Sequence, residues 1–254
     1  MASARLAAAL LALAFIIAGC SSLRSIDAPS ADPTPTGSLG DVSLRDTSLA
    51  AQAWRKDPRN KKSGLAYARG LMALARPEEA VKVLEELARH NPDDLELAAY
   101  LGKMMVRSGR LQDGERELRR AIAGGKADWR VNSALGSALD QQGRYQEARQ
   151  CYEQALKAKP GEVSVINNLA MSYVLSGDLR TAEAHLRRAL AEPENDDAKL
   201  RQNLALVVGL QGRFDEAKDI ARRDLPPDKV EANAAYLQQM LSEPNPWEQL
   251  RAAK

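Results

Sequence analysis

Two cysteines and two histidines are all the thiol and imidazole metal ligands in 254 residues, and neither His90 nor His185 sits in HExxH, beside a cysteine or in any ligand spacing. The pattern points to surface or partly buried histidines and implies no metal and no cofactor. Aromatic residues are scarce too, with three Trp, six Tyr and two Phe. Set against abundant Ala, Leu, Arg and Glu, that scarcity suits helices whose backbones pack closely. Charge of one sign is missing as well: 36 basic residues against 34 acidic ones leave a net +2, so no global field points to nucleic acid or an acidic substrate. No Gly-rich phosphate loop, no G-x-S-x-G and no CxxC occurs, which speaks against an enzyme. The balance is that of a helical interaction protein.

Long apolar runs are nearly absent, and the one that exists is short. Leu6 to Ile17 is twelve apolar residues, preceded by Arg5 and followed by Ala18-Gly19-Cys20. A membrane-spanning helix needs roughly 20 apolar residues, and Ser21-Ser22 end this run before that. Residues 1–19 therefore read as a signal peptide with small residues before its cut. From residue 20 to 41 the chain carries Pro29, Pro33 and Pro35 among Ser, Thr, Gly and Asp, with little apolar periodicity. Such a stretch cannot bury enough surface to offset its ordering entropy, and it reads as a flexible tether. In the leading-helix segment 42–60, residues 42–57 restart a helical pattern with Leu44, Leu49, Ala53 and Trp54 that stops before Pro58, and they read as a leading half-repeat that covers the first full unit.

What the chain has in quantity is a repeat. Between Trp129 and Pro160, Leu135-Gly136, Leu139, Ala148, Tyr152, Ala155 and Pro160 occupy positions 7, 8, 11, 20, 24, 27 and 32 of a 34-residue unit. Gly136 and Ala148 fall where two antiparallel helices would cross, a place that demands small residues. Gly143 falls at the turn between them, and Pro160 closes the second helix. The first-helix pair recurs as Tyr67-Ala68, Leu101-Gly102, Leu169-Ala170 and Leu204-Ala205. The crossing residue recurs as Ala80, Gly114, Ala182 and Ala217, and the turn as Ala75, Gly109, Gly177 and Gly212. This spacing resembles the tetratricopeptide repeat. The resemblance implies an all-α fold, a TPR α-solenoid in which antiparallel helix pairs wind into a right-handed superhelix. About five repeats follow, at 61–94, 95–128, 129–162, 163–197 and 198–227, with a capping helix and tail over 228–254. The usual Trp position holds Gly64, Ala98, Asn132, Ile166 or Arg201, never Trp, and Asp224 replaces the position-27 alanine in the last unit, where a terminal repeat facing solvent is expected to be atypical.

The binding surface that such a solenoid implies is the first-helix lining, at unit positions 2, 5, 9 and 12. Its candidates here are Arg69, Lys103, Arg130, Ser133, Ser137, Asn167, Met171, Lys199 and Gln202, with Leu65, Met72, Val106, Val174 and Leu206 as apolar members. Asn168 and Asn203, at position 6, add amides that match only part of the carboxylate clamp some members of the family carry. This mixture suits an extended peptide or a partner helix. On the second helices, Arg119-Arg120, Arg187-Arg188 and Arg222-Arg223 share positions 25 and 26, with Glu115, Glu183 and Asp219 four residues before one arginine of each pair. They read as a self-compensated, solvated face, the alternative being a basic strip for anionic lipid or an acidic partner. Cys151, on a second helix, reads as a buried small apolar residue.

Ile17-Ala18-Gly19-Cys20 resembles the bacterial lipobox, and the resemblance implies that Cys20 receives a diacylglyceryl group and becomes the first mature residue. Two or more acyl chains hold a protein on a membrane stably. Ser21 is compatible with sorting to the outer membrane of a Gram-negative cell, with the protein on its periplasmic face. Lipobox, tether, repeats and the ending Leu225-Pro226-Pro227 with Asn233, Tyr236, Leu237, Pro244 and Pro246-Trp247 together resemble the TadD-like tetratricopeptide lipoproteins of the tight-adherence (Tad, Flp) pilus system. That resemblance implies a non-catalytic scaffold assisting pilus assembly, as a pilotin-like factor for the secretin. The alternative is a general envelope adaptor that recruits a peptidoglycan enzyme or an outer-membrane assembly partner.

Overall fold

The computed structural model describes residues 44–242; the lipobox, the tether and the tail beyond Ser242 lie outside the described residues. Twelve α-helices and one short 3-10 turn account for the regular structure, with no strand among the described residues. In chain order these are α1 (Leu44–Lys56), α2 (Lys61–Ala73), α3 (Pro77–His90), α4 (Leu95–Arg107), α5 (Leu111–Ala123), α6 (Trp129–Gln141), α7 (Tyr145–Ala158), α8 (Val163–Leu175), α9 (Leu179–Leu190), α10 (Ala198–Leu210), α11 (Phe214–Ala221) and α12 (Pro227–Ser242). They form two compact units that divide after Ala138, within α6.

One turn chemistry joins the two helices of every pair. Gly109, Gly143, Gly177 and Gly212 adopt positive φ, and the amide of the next residue reaches five residues back, as in Arg110 N to Met105 O at 2.8 Å and Arg144 N to Leu139 O at 2.9 Å. That bond satisfies a carbonyl the helix end would otherwise leave open. In the first pair the same position is Ala75, at φ 55°, with Arg76 N to Leu71 O at 2.9 Å. An alanine takes the left-handed conformation there at a steric cost, inside the same hydrogen-bonded turn. The arginine after the turn then pairs with the acid three residues on, as Arg76–Glu79, Arg110–Asp113, Arg144–Glu147 and Arg213–Glu216. In the fourth pair Asp178 replaces it and caps α9 directly, accepting from Thr181 N at 3.1 Å.

Packing follows from the small crossing residues. Ala80, Gly114, Ala148, Ala182 and Ala217 are all buried. The approach is tightest between α4 and α5, where both crossing residues are glycine. A Cβ on Gly114 would lie 2.6 Å from Val106 Cγ2 and 2.9 Å from the Gly102 carbonyl oxygen. In residues 44–138 the core is built from α2, α3 and α4 around Leu71, Leu84, Leu87, Leu97 and Leu101. Helix α1 seats on α2 through Thr47, whose side chain fills the notch at Gly70. In residues 139–242 the core gathers Leu186, Leu200, Leu204, Val207 and Val208. Helix α10 touches α8, α9, α11 and α12, which is why Leu204 to Leu210 are buried without a break. The last helix, α12, inserts Val230, Ala234, Leu237 and Met240, and Leu237 fills a notch at Gly209.

Candidate first-helix binding surface

Each unit presents its own set of first-helix residues. In residues 44–138, Arg69 on α2 is half-buried, and Lys103 on α4 holds its Nζ 6.0 Å from the centre of the Tyr100 ring. The Arg130 guanidinium lies 4.5 Å from the Trp129 ring centroid. An aromatic neighbour one or three residues away thus braces both cations, a cation–π arrangement that limits their rotamers without neutralising them. Ser133 and Ser137, one turn apart, are half-buried on the same helix. Val106 is buried and lines nothing, because it packs against Gly114 across the α4/α5 crossing.

In residues 139–242 the same positions divide. Asn168 and Met171 are half-buried and Lys199 is exposed. Asn167 is buried, and its side-chain oxygen accepts from the Asn203 amide, so this pair ties α8 to α10. Gln202 lines a cavity of about 30 Å³ with Leu206, Val230 and Asn233 and so faces the last helix. Leu206 and Val174 are buried. The sequence pattern reads all of these as lining because it counts turns of the first helix and cannot count the elements laid against it. Cys151 likewise departs from expectation, being half-buried and not buried.

The paired arginines are compensated as expected at Arg119–Glu115, 2.8 Å, and Arg187–Glu183, 2.7 Å. The third differs: Asp219 pairs with Arg222, and Arg223 reaches Asp196 at 3.2 Å. The short helix α11 ends before Arg223, so the i,i+4 geometry that would join Asp219 to it does not exist.

Two polar sites were not legible as sites. Asp140, at position 12 of the central unit, is 6% exposed and receives Tyr152 Oη at 2.9 Å and Ser172 Oγ at 2.7 Å. Burial pushes its carboxyl up to about 6, against the opposing pull of those two hydroxyls and of Arg149. Burial and the adjacent Asp140 raise the Tyr152 hydroxyl well above its ordinary value. The second site joins Arg201 and Asp224 of the last repeat, each a departure from the repeat pattern. Arg201 Nε and Nη2 donate to Asp224 at 2.8 and 2.6 Å, a bidentate pair with both side chains about 10% exposed. The arginine beside it holds the Asp224 carboxyl below its usual range. A signal existed: both substitutions sit in one repeat and carry opposite charge.

His185 stacks on Tyr173 at 5.3 Å, and the Arg149 guanidinium covers the same ring at 4.6 Å. His90 is exposed. Among the described residues no group of three His, Cys, Asp or Glu side chains is placed to hold a metal ion, and no helix is long and apolar enough to cross a membrane.

Antiparallel helix pairs joined by one turn and packed in sequence define an α-solenoid of stacked hairpins. Models of the tetratricopeptide repeat match residues 47–104, 105–163 and 163–191, more than half of the chain, and the protein belongs to that family. Repeats of this kind are protein-binding scaffolds and are generally not enzymes. Tetratricopeptide repeat protein 7B of Mus musculus is 25% identical over 170 residues, covering 61% of this chain and 20% of its own length. A TPR repeat-containing protein of Pseudomonas aeruginosa is 30% identical over 114 residues, covering 44% of this chain and 19% of its own. The chain thus spans no more than a fifth of the length of these relatives. Among solved structures, a thermophilic TPR protein of Thermus thermophilus superposes with a TM-score of 0.57 at 22% identity, over 71% of this chain and all of that one. MamA AMB-1 superposes with a TM-score of 0.52 at 24% identity, over 57% and 86%.

Proposed function

We propose that this chain is a lipid-anchored, non-catalytic scaffold that assists assembly of a tight-adherence (Tad, Flp) pilus. Its first-helix surface would hold an extended segment or a helix of a pilus or secretin component, in a pilotin-like role at the periplasmic face of the outer membrane. The observation that carries the reading is the joining, on one chain, of a tetratricopeptide array to Ile17-Ala18-Gly19-Cys20 and a Pro-rich tether. Asn233, Tyr236, Leu237, Pro244 and Pro246-Trp247 support the pilus assignment by resemblance. The mixed lining of Arg69, Lys103, Arg130, Ser133 and Ser137 in one unit, and of Asn168, Met171 and Lys199 in the other, supports a protein partner over a small molecule. A TPR protein with an unusual peptide-binding site, YrrB, shares the fold at 13% identity and a TM-score of 0.54 and serves as precedent for peptide capture. Acylation at Cys20 would confine the scaffold to the membrane surface and raise the effective concentration of its partner there.

Deleting the gene tests the assignment. Surface pili should disappear and secretin multimers should mislocalise, and Cys20→Ser should reproduce the defect while leaving the chain in the soluble envelope fraction. A photo-crosslinking residue at Met171 should capture a pilus or secretin component. Normal pili in the deletion strain, with a peptidoglycan enzyme captured at Met171, would replace this reading with that of a general envelope adaptor.

A further inference from the structure

The two ends of the described array are unequal halves of one repeat. Carried back from the first full unit, the 34-residue ruler places Ala53 at position 27 and Pro58 at position 32, where the central unit has Ala155 and Pro160. Helix α1 is therefore a second helix, and no first helix pairs with it among the described residues. It buries Thr47 and Ala51 on α2 and leaves the opposite face open. At the other end α12 packs on α10 and α11 as the first helix of a further repeat would, with no second helix after it among the described residues. It buries Val230, Ala234, Leu237 and Met240 and exposes Ala232, Ala235, Tyr236 and Gln239, one stripe at helical spacing.

Exposed large apolar side chains single out these two helices. Among the described residues they are Leu49, 54% exposed on the open face of α1, Tyr236, 37% exposed on α12, and Leu44, 72% exposed at the first position of α1 on the side of Thr47. None lies on the ten helices between. Terminal units of a solenoid ordinarily turn a polar face to water, so among the described residues both ends are short of a cover.

Charge selects the orientation. In an antiparallel pair the start of the first helix lies beside the end of the second, as Glu96 at the start of α4 meets Lys126 just past α5 at 3.1 Å. Arg201 early in α10 meets Asp224 just past α11 in the same way. Helix α1 ends in exposed Arg55 and Lys56, and α12 begins with exposed Asp228 and Glu231, the latter also held by Lys218 at 2.6 Å. The opposite charges coincide in the antiparallel arrangement that a repeat requires.

We propose that α12 of one molecule packs antiparallel on α1 of a second copy, closing a repeat that neither chain completes alone. The contact joins different patches, so it is heterologous and extends beyond a dimer, into open chains or closed rings of molecules. The test is sedimentation of the full-length chain in mild detergent, with Leu49→Arg and Tyr236→Arg as end-blocking variants. Wild type should gain mass with concentration beyond a dimer, and each variant should remain monomeric over the same range. An equimolar mixture of the two variants should form dimers and stop there, because each keeps one intact end. Raising the salt should weaken association of the wild type. Both positions are exposed, so circular dichroism of each variant should match wild type. A wild type that stays monomeric would mean the faces are covered within one molecule by residues outside 44–242, and would overturn the proposal. Variants that associate as wild type does, or a mixture that stays monomeric, would overturn it equally.

Discussion

Replacing Asp140 by Asn removes a buried charge while keeping the shape of the side chain, and the consequence for stability depends on pH with a sign that can be worked out. The carboxyl is raised from 3.8 to about 6 by burial. Between those values the native state binds more protons than the unfolded state, so the contribution of Asp140 to stability falls as pH rises. Below about pH 4 both states are protonated and the penalty vanishes; above about pH 6 it is fully present. A tenfold change in proton affinity is worth about 1.36 kcal/mol, and a rise of roughly two such steps makes the penalty roughly 3 kcal/mol. The asparagine adds an offset that does not vary with pH, because Tyr152 and Ser172 both donate to the carboxylate and one hydroxyl must turn to accept from the new amide. Rearranging one hydrogen bond costs about 1 kcal/mol. The stability of Asp140→Asn relative to wild type should therefore climb by roughly 2–3 kcal/mol from about pH 4 to about pH 7 and be flat above. Urea unfolding followed by circular dichroism, at closely spaced pH values for both proteins, measures that difference and cancels the other titrating groups. A difference that is flat with pH, or that falls as pH rises, would refute the claim that burial outweighs the two hydroxyls. Direct titration of the Asp140 carboxyl by NMR should find its midpoint at about 6.

Four further substitutions probe packing, turn conformation and ion pairing. Gly114→Ala restores the residue type found at the other crossings and improves helix propensity by about 1 kcal/mol, yet the clash with Val106 and the Gly102 carbonyl should make it net destabilising by about 1–2 kcal/mol; the urea midpoint reads this directly. Ala75→Gly should stabilise by about 0.5–1 kcal/mol, since relief of the positive φ exceeds the unfolded-state entropy that glycine adds, and a lowered melting temperature would contradict it. Arg201→Met should cost about 3 kcal/mol by stranding the nearly buried Asp224 carboxylate, Asp224→Ala should cost less because Asp196 still accepts from Arg201 Nη1, and the double variant should cost less than their sum. Because Asp224 titrates low, the stabilisation from this pair is complete above about pH 4 and is lost as pH falls further, so the cycle's coupling energy should shrink in acid.

Much of the repeat architecture was written in residue spacing. Small residues at the helix crossings and turn residues between helices act locally, through excluded volume and backbone conformation, and the 34-residue ruler located them without knowledge of neighbours. Even Ala75, which has the wrong side chain for its conformation, was placed by its interval from Gly109. The lining of the first helices was less legible. Asn167, Val174, Leu206 and Gln202 share the helical phase of exposed positions but are covered by α10 or α12 or by their own partners, and phase alone does not reveal a cover.

What the chain settled alone is the unit: a pair of helices, a left-handed turn, a crossing that admits no bulk. Each of these depends on residues within one stretch of about 34 positions, and so it survives translation along the sequence. What the tertiary structure decided is how polar groups far apart were reconciled. Asp140 became a buried acceptor only when Tyr152 and Ser172 closed over it, and Arg201 and Asp224 ceased to be two irregularities and became one ion pair. Desolvation and hydrogen bonding act through space over a few ångströms, and those distances exist only once the helices have stacked.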